Sequence, residues 1–285
     1  DVERSRGLGD VYKRQPRPRY GVYAPICSRN GVAFFGRDSD ATLPVWSAKD
    51  GYPGDPHYRE FHRDLGWDLP IEELKPLGLD QPRPLGLKLH RVTDHSAPLD
   101  RKRPYEPGVA AERVKEHATD YLQGRRRQLD QLSAAMDVSP LLVAPFDAEL
   151  FGHWWFEGPA FLSQLFQQAP QEGVSFTRLR DVLNNVGQLQ LCDPCPSSWG
   201  QGGYHDYWLN DSNAWIIPEW EKASAAMVQR CSRGVGSEQA MQWLQQAARE
   251  LLLAQSSDWS FILRAGTTTE LAKERVQRHL GRFWQ

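Results

Sequence analysis

Asp147 heads the segment Asp147-Ala148-Glu149-Leu150-Phe151-Gly152-His153-Trp154-Trp155-Phe156-Glu157-Gly158. It follows the apolar run Pro140-Leu141-Leu142-Val143-Ala144-Pro145-Phe146, which reads as a strand buried on both faces. In parallel α/β barrels the catalytic groups sit at the C-terminal ends of the strands. A carboxylate there, followed by a histidine and two tryptophans, has the composition of a sugar-cleaving site. Such chemistry needs a carboxyl group that exchanges a proton with the leaving oxygen, and indole faces suit the C–H surfaces of a sugar. A lone aspartate at a strand end is more often solvated beside core aromatics. The clustering of residue types is what favours chemistry here.

Composition narrows the alternatives. The 285 residues carry a net charge of −2, so there is no basic field to recruit nucleic acid. No apolar run reaches the roughly 18 residues of a membrane span, and no signal-peptide core is visible at the N-terminus, so a cytoplasmic location is expected. Tryptophan is the compositional outlier, with 11 residues, many in Gly- and Pro-rich stretches where stacking on a ligand explains them better than packing. Cys192-Asp193-Pro194-Cys195 is a lone CxxC without a second pair, and Cys27 and Cys231 lack metal-ligand spacing. Zinc and redox roles are not expected there.

The elements that must position Asp147 follow from periodicity. Residues 1–15 look foreign, like translated adaptor sequence, and are set apart from the fold. Strands are expected over Gly31–Gly36, Leu43–Ser47, Leu85–Arg91, Pro140–Pro145 and Val174–Thr177, and helices over Asp55–Leu65, Pro107–Met136, Gly158–Gln168 and Leu179–Asn185. Val109, Val114, Ala118, Tyr121 and Leu122 share one side of the long helix. Strands alternating with helices argue for parallel βαβ units. Beyond Asn213 the pattern is helical, with stripes through Ile217, Trp220, Ser224 and Met227, through Ala240, Trp243, Ala247 and Leu251, and through Leu271, Val276 and Leu280. Trp220, Trp243, Trp259 and Trp284 are assigned to core or surface packing, and Arg125, Arg126 and Arg127 to a solvated helix face.

Three segments together resemble glycoside hydrolase family 57, and within it the α-1,4-glucan branching enzymes. The segment from Asp147 to Gly158 is similar to the motif bearing the general acid/base. Val45-Trp46-Ser47, with Gly51-Tyr52-Pro53-Gly54-Asp55-Pro56-His57-Tyr58-Arg59-Glu60-Phe61, resembles the stretch leading from an inserted loop back into the barrel. Ser197-Ser198-Trp199-Gly200, with Gly202-Gly203-Tyr204 and Trp208-Leu209-Asn210, resembles the start of the helical C-terminal domain of the branching group. The likeness runs from about Pro16 to Trp284.

The resemblance implies an α/β fold: an incomplete (β/α)7-type barrel over residues 16–193, then an all-helical C-terminal domain over 194–285. It implies Asp147 as the general acid/base, protonating the departing glucosyl oxygen and then deprotonating the 6-hydroxyl of an acceptor chain. Trp46, Trp199 and Trp208 match aromatics lining the sugar subsites, and Tyr20 matches the aromatic of a mobile loop over the site. His153 either shapes the sugar pocket with Trp154 or is a hydrogen-bonded core histidine. Asp55, Arg59 and Glu60 read as structural, tying a helix to the barrel rim.

The family is retaining, and its Glu nucleophile lies on an earlier barrel strand whose motif is not found in this sequence. Glu149 is too near Asp147 in sequence to flank a scissile bond from the opposite side. The expected partner is an α-glucan of amylose or glycogen type, with no metal or organic cofactor, since the displacement runs on carboxylates. Two alternatives stand beside branching: a family 57 amylase or 4-α-glucanotransferase, and a non-catalytic α-glucan-binding module.

Overall fold

The computed structural model describes residues 17–196, 198, 200 and 203–285. The adaptor-like reading of residues 1–15 and the role given to Trp199 lie outside the described residues. The chain divides into two units, one ending at Pro194 and one beginning at Cys195, each with its own apolar core.

The first unit is largely helical with a small sheet. β1 (Ile26–Cys27) pairs antiparallel with β2 (Ala33–Phe34), Ile26 opposite Phe34, and parallel with β3 (Gln190–Leu191), Ile26 opposite Gln190. Among the described residues the strands form one three-stranded sheet of order β2-β1-β3. The run Pro140–Pro145 belongs to no helix or strand and is half-buried as far as Ala144, with Pro145 exposed, rather than fully buried. It bonds singly on each side, Leu141 N–H to Tyr23 O and Val143 O from Asp38 N–H, both at 2.8 Å. Prolines at both ends remove two donors that a ladder would need.

Leu43–Ser47, expected as a strand, is instead the end of helix α1 (Ser39–Trp46). Asp38 caps it by accepting from Asp40 N–H at 3.2 Å, and Ala41, Thr42 and Val45 are buried at helical spacing. Pro44 cannot donate to the carbonyl of Asp40; Arg125 Nη1 donates to that oxygen at 2.6 Å. Arg125 is therefore a brace, not part of a solvated face.

The expected helix over Asp55–Leu65 is irregular, lying between a 3-10 turn at Tyr52–Gly54 and the short α2 (Leu65–Asp68). Long-range pairing wins over local propensity: Glu60 N–H bonds His90 O at 2.9 Å and Val92 N–H bonds Tyr58 O at 2.8 Å. Leu85–Arg91 forms isolated bridges at His90 and Arg91 rather than a strand, because the Asp64 carboxylate takes the N–H groups of Leu85 and Gly86. Val174–Thr177 joins no ladder either; Val174 N–H closes the preceding helix on Ala169 O. The short α3 (Ile71–Leu74) lies between these segments.

Helix α4 (Pro107–Ala135) forms as expected. Its buried face is Ala110, Val114, Ala118, Tyr121 and Leu122; Ala110, not Val109, heads the stripe, and Val109 is 38 % exposed. Helices α5 (Gly158–Gln168) and α6 (Leu179–Asn185) also match expectation. Phe161 and Leu165 of α5 join Tyr58, Leu150 and Trp155 in the core against α4, so the long helix is the frame on which the Asp147 segment rests.

The second unit is helical: α7 (Ile216–Ser232), α8 (Glu238–Ala254), α9 (Ser257–Ala265) and α10 (Thr269–Phe283). Its core joins Ile216, Ala223, Leu251, Ala254, Leu263, Ala272, Val276 and Leu280, with Trp220, Met227 and Trp259 packed around them. Trp243 does not follow its stripe; it is 68 % exposed. A buried hydrogen bond between His279 Nδ1 and Glu250 Oε2, 2.7 Å long, joins α10 to α8.

Candidate active site around Asp147

Residues 147–158 fold into a tight knot. Asp147 precedes a 3-10 turn, Ala148–Leu150; Glu149 O accepts the N–H groups of His153 and Trp154, and Trp155 N–H bonds Leu150 O at 2.8 Å. The two tryptophans consequently part. Trp155 is 2 % exposed and packs on Phe161 with ring centroids 4.9 Å apart, whereas Trp154 is 54 % exposed. Gly158 is required at the knot's end, because a Cβ there would lie 2.8 Å from the Phe151 Cα.

Asp147 is half-buried and its carboxylate accepts no hydrogen bond from the described residues. It lines a cleft of about 440 Å³ with Trp46, Ala48, Pro53, Phe61, His62, Glu149, Leu150 and Trp154. Trp46 ends α1, 48 % exposed, so a helix terminus presents this indole, not the strand expected. Trp154 stacks on Phe61 at 4.7 Å with 29° between planes. The cleft thus joins an unengaged carboxylate to two exposed indoles, the donor–platform combination that sugar chemistry needs. Asp147 and Glu149 come from one short turn and line one wall.

Other expected site residues lie elsewhere. His153 is exposed and packs edge-on against Phe61 and Trp154, at 5.6 and 5.1 Å; it is no core histidine, and it lines a neighbouring pocket rather than this cleft. Tyr20 pairs its hydroxyl with Asp137 and borders a separate cavity of about 450 Å³ with Ile26, Leu141 and Val182. That cavity brings no acid/base pair together. Trp208 belongs to the second unit, half-buried beside Phe261 and against Gly200, where a Cβ would lie 2.6 Å from the indole. Sequence reasoning did not single out Phe61 and His62; the signal available was an aromatic–histidine pair closing a charged stretch.

A buried polar network holds the cleft's rim. Asp55 accepts from His57 N–H at 2.8 Å and from Arg113 Nη2 at 2.8 Å and Nε at 3.1 Å. Burial opposes its ionisation, yet the His57 and Arg113 hydrogen bonds and the guanidinium charge together hold its carboxyl below the ordinary range. His117, 3.5 Å from Asp55, is pushed down by burial despite that neighbour, and its Nδ1 meets the Tyr58 hydroxyl at 2.8 Å. Tyr52 stacks on His117 at 4.6 Å, next to the Pro53 that lines the cleft. Glu157 accepts from Arg59 N–H at 3.0 Å, and burial pushes its carboxyl up. Among the described residues no group of His, Cys, Asp and Glu converges as a metal site.

The chain is similar to known proteins over most of its length. The family model for the C-terminal region of 1,4-alpha-glucan branching enzymes matches residues 219–285. The 1,4-alpha-glucan branching enzyme TK1436 of Thermococcus kodakarensis is 34% identical over 252 residues, 88% of this chain and 35% of that protein. Its crystal structure, in complex with glucose and additives, superposes with a TM-score of 0.76, covering 92% of this chain and 45% of that one. The GH57-type branching enzyme of Pyrococcus horikoshii gives a TM-score of 0.74 at 35% identity, over 91% and 45% of the two chains. The alpha-amylase AmyC of Thermotoga maritima gives 0.75 at 39% identity, over 94% and 51%.

Fold and sequence make the chain a relative of the family 57 glycoside hydrolases. Within that class it is similar to the 1,4-α-glucan branching enzymes, matching the family model of their C-terminal region over residues 219–285. The chain spans about a third of the length of the Thermococcus protein.

Proposed function

We propose that this chain supplies the acid/base part of a retaining α-1,4-glucan branching enzyme, with Asp147 as the proton carrier. The observation that carries the reading is the cleft lined together by Asp147, whose carboxyl group accepts no hydrogen bond from the described residues, and by the indoles of Trp46 and Trp154. Residues 16–193 are read as the later part of a (β/α)7-type barrel, and 194–285 as the helical domain of the branching group. The resemblance puts the Glu nucleophile outside the stretch matched here.

Asp147 gives its proton to the glucosidic oxygen as the α-1,4 bond breaks and the glucosyl carbon bonds to the nucleophile. As a carboxylate it then takes the proton of an acceptor 6-hydroxyl, whose oxygen displaces the nucleophile. One α-1,4 bond becomes one α-1,6 bond, and Asp147 ends protonated again. Indole platforms favour the sugar acceptor over water by holding it and excluding solvent from the glycosyl intermediate. Trp199 and Trp208 are proposed as further platforms on the sequence resemblance alone.

A chimera carrying residues 17–285 in place of the matching part of the Thermococcus enzyme, incubated with amylose, tests this by NMR counting of α-1,6 linkages. Branches should form, and Asp147→Asn should cut the rate by roughly 10²–10⁴-fold, the usual worth of general acid/base catalysis. An unchanged rate in the variant would remove Asp147 from the reaction. The 39% identity to an alpha-amylase favours hydrolysis as a second reading, in which water replaces the acceptor. New reducing ends without new α-1,6 linkages would select it.

A further inference from the structure

The Phe61–Trp154 stack is a partition with a pocket on each side. One is the Asp147 cleft. The other, about 260 Å³, is lined by Arg59, Glu60, Asp64, Lys88 and Phe156 among others, and shares both rings with the first.

The chemistry of this second pocket is that of a donor-rich wall. Its carboxylates are already engaged. Asp64, wholly buried, accepts from Gly66, Leu85 and Gly86 N–H at 2.8–2.9 Å and faces Lys88 Nζ at 3.2 Å. These bonds fix the loop forming one side of the pocket. Glu60 accepts from His62 N–H at 2.8 Å and faces Lys102 Nζ at 3.4 Å. Arg59, in contrast, lays its guanidinium over the Phe156 ring, 3.5 Å from the centroid, and among the described residues the guanidinium N–H groups have no hydrogen-bond acceptor, the backbone N–H alone reaching Glu157. Five donors on a planar fork, held by an aromatic ring, therefore border the pocket beside the Lys88 ammonium.

An occupant must bring acceptor oxygens. It need not bring charge, because two cations and two carboxylates line the pocket and leave no net charge. It must also tolerate aromatic walls. Hydroxyl and ring oxygens set on an apolar carbon skeleton meet all three conditions. We infer that this pocket is an additional glucan subsite, contiguous with the Asp147 cleft across the Phe61–Trp154 partition, in which Arg59 and Lys88 donate to sugar oxygens. The inference rests on the reading of the Asp147 cleft as glucan-binding.

Calorimetric titration of the 285-residue chain with maltoheptaose separates the two. Arg59→Met keeps an apolar contact on Phe156 and removes the donors; it should raise Kd about tenfold, the worth of one charged hydrogen bond. Lys88→Met is a second variant on the same pocket, guarding against misfolding of the first, with far-UV circular dichroism as the check. Trp46→Ala alters the Asp147 cleft alone. Weaker binding by Trp46→Ala and by either pocket variant supports the subsite. Weakening by Trp46→Ala with both pocket variants unchanged overturns it and leaves the proposed function standing. Absence of maltoheptaose binding by the unaltered chain takes down the glucan reading of both pockets. Displacement of maltoheptaose by millimolar inorganic phosphate, lost in Arg59→Met, would make the pocket an anion site and refute the sugar assignment.

Discussion

Replacing Arg113 with methionine tests the frame that holds the Asp147 cleft. Arg113 reaches from α4 to Asp55 and ties that helix to the segment carrying Pro53 and Phe61. The Asp55 side chain is 6% exposed and that of Arg113 37%. Methionine preserves much of the stem and leaves Asp55 with His57 N–H at 2.8 Å and His117 at 3.5 Å. Removing one partner of a fully buried pair costs about 3–5 kcal/mol. Water reaches Arg113 and screens the pair, so the expected loss is about 2 kcal/mol.

The pH dependence has a definite sign. In the native protein, burial opposes the Asp55 charge, but the His57 and Arg113 contacts outweigh it and the folded pKa is lowered. Such a carboxyl adds stability that is present above about pH 4 and is lost as pH falls through the folded value. Without Arg113, burial dominates, and protonation relieves the variant instead of harming it. The gap between native and variant proteins should be widest near neutrality and narrow toward about pH 3. Urea unfolding followed by tryptophan emission at both pH values reads the gap. Equal midpoints at neutral pH, or a gap that does not change with pH, would refute the reasoning.

Two further outcomes are expected. Gly158→Ala should destabilise the first unit by about 1–3 kcal/mol, since the new Cβ would press on the Phe151 backbone; unchanged urea unfolding would show that the knot yields freely. In the second unit, the His279 hydrogen bond holds the Glu250 carboxyl low against burial, helped by Gln246. That stability is present above the ordinary glutamate pKa and is lost as pH falls below it. Circular-dichroism melting of the native chain should therefore drop between about pH 5 and pH 3, with a flatter profile for Glu250→Gln; parallel profiles would count against the pair.

The legible parts of the fold share one property: their signal is local. Helices α4 and α5 announce themselves by 3.6-residue spacing and by Pro107, or Gly158 with Pro159, at their starts. The misread parts depend on partners far along the chain. Leu43–Ser47 is helical because Asp38 caps it and Arg125 covers the Asp40 carbonyl that Pro44 leaves bare. Asp55–Leu65 is irregular because its backbone pairs with residues 90–92. In neither case does the segment itself carry the deciding group.

The candidate site divides the same way. Sequence alone determined that an aspartate, paired indoles and a knot of glycine and aromatics occur together, because those types and spacings are written consecutively from Asp147 to Gly158. Tertiary structure decided which ring faces solvent, brought Trp46 and Phe61 to the same cleft, put His153 beyond the partition, and left the Arg59 guanidinium without an acceptor among the described residues. Spacing along a chain specifies neighbours within a turn or two, whereas a cleft is closed by segments whose meeting depends on what each of them buries.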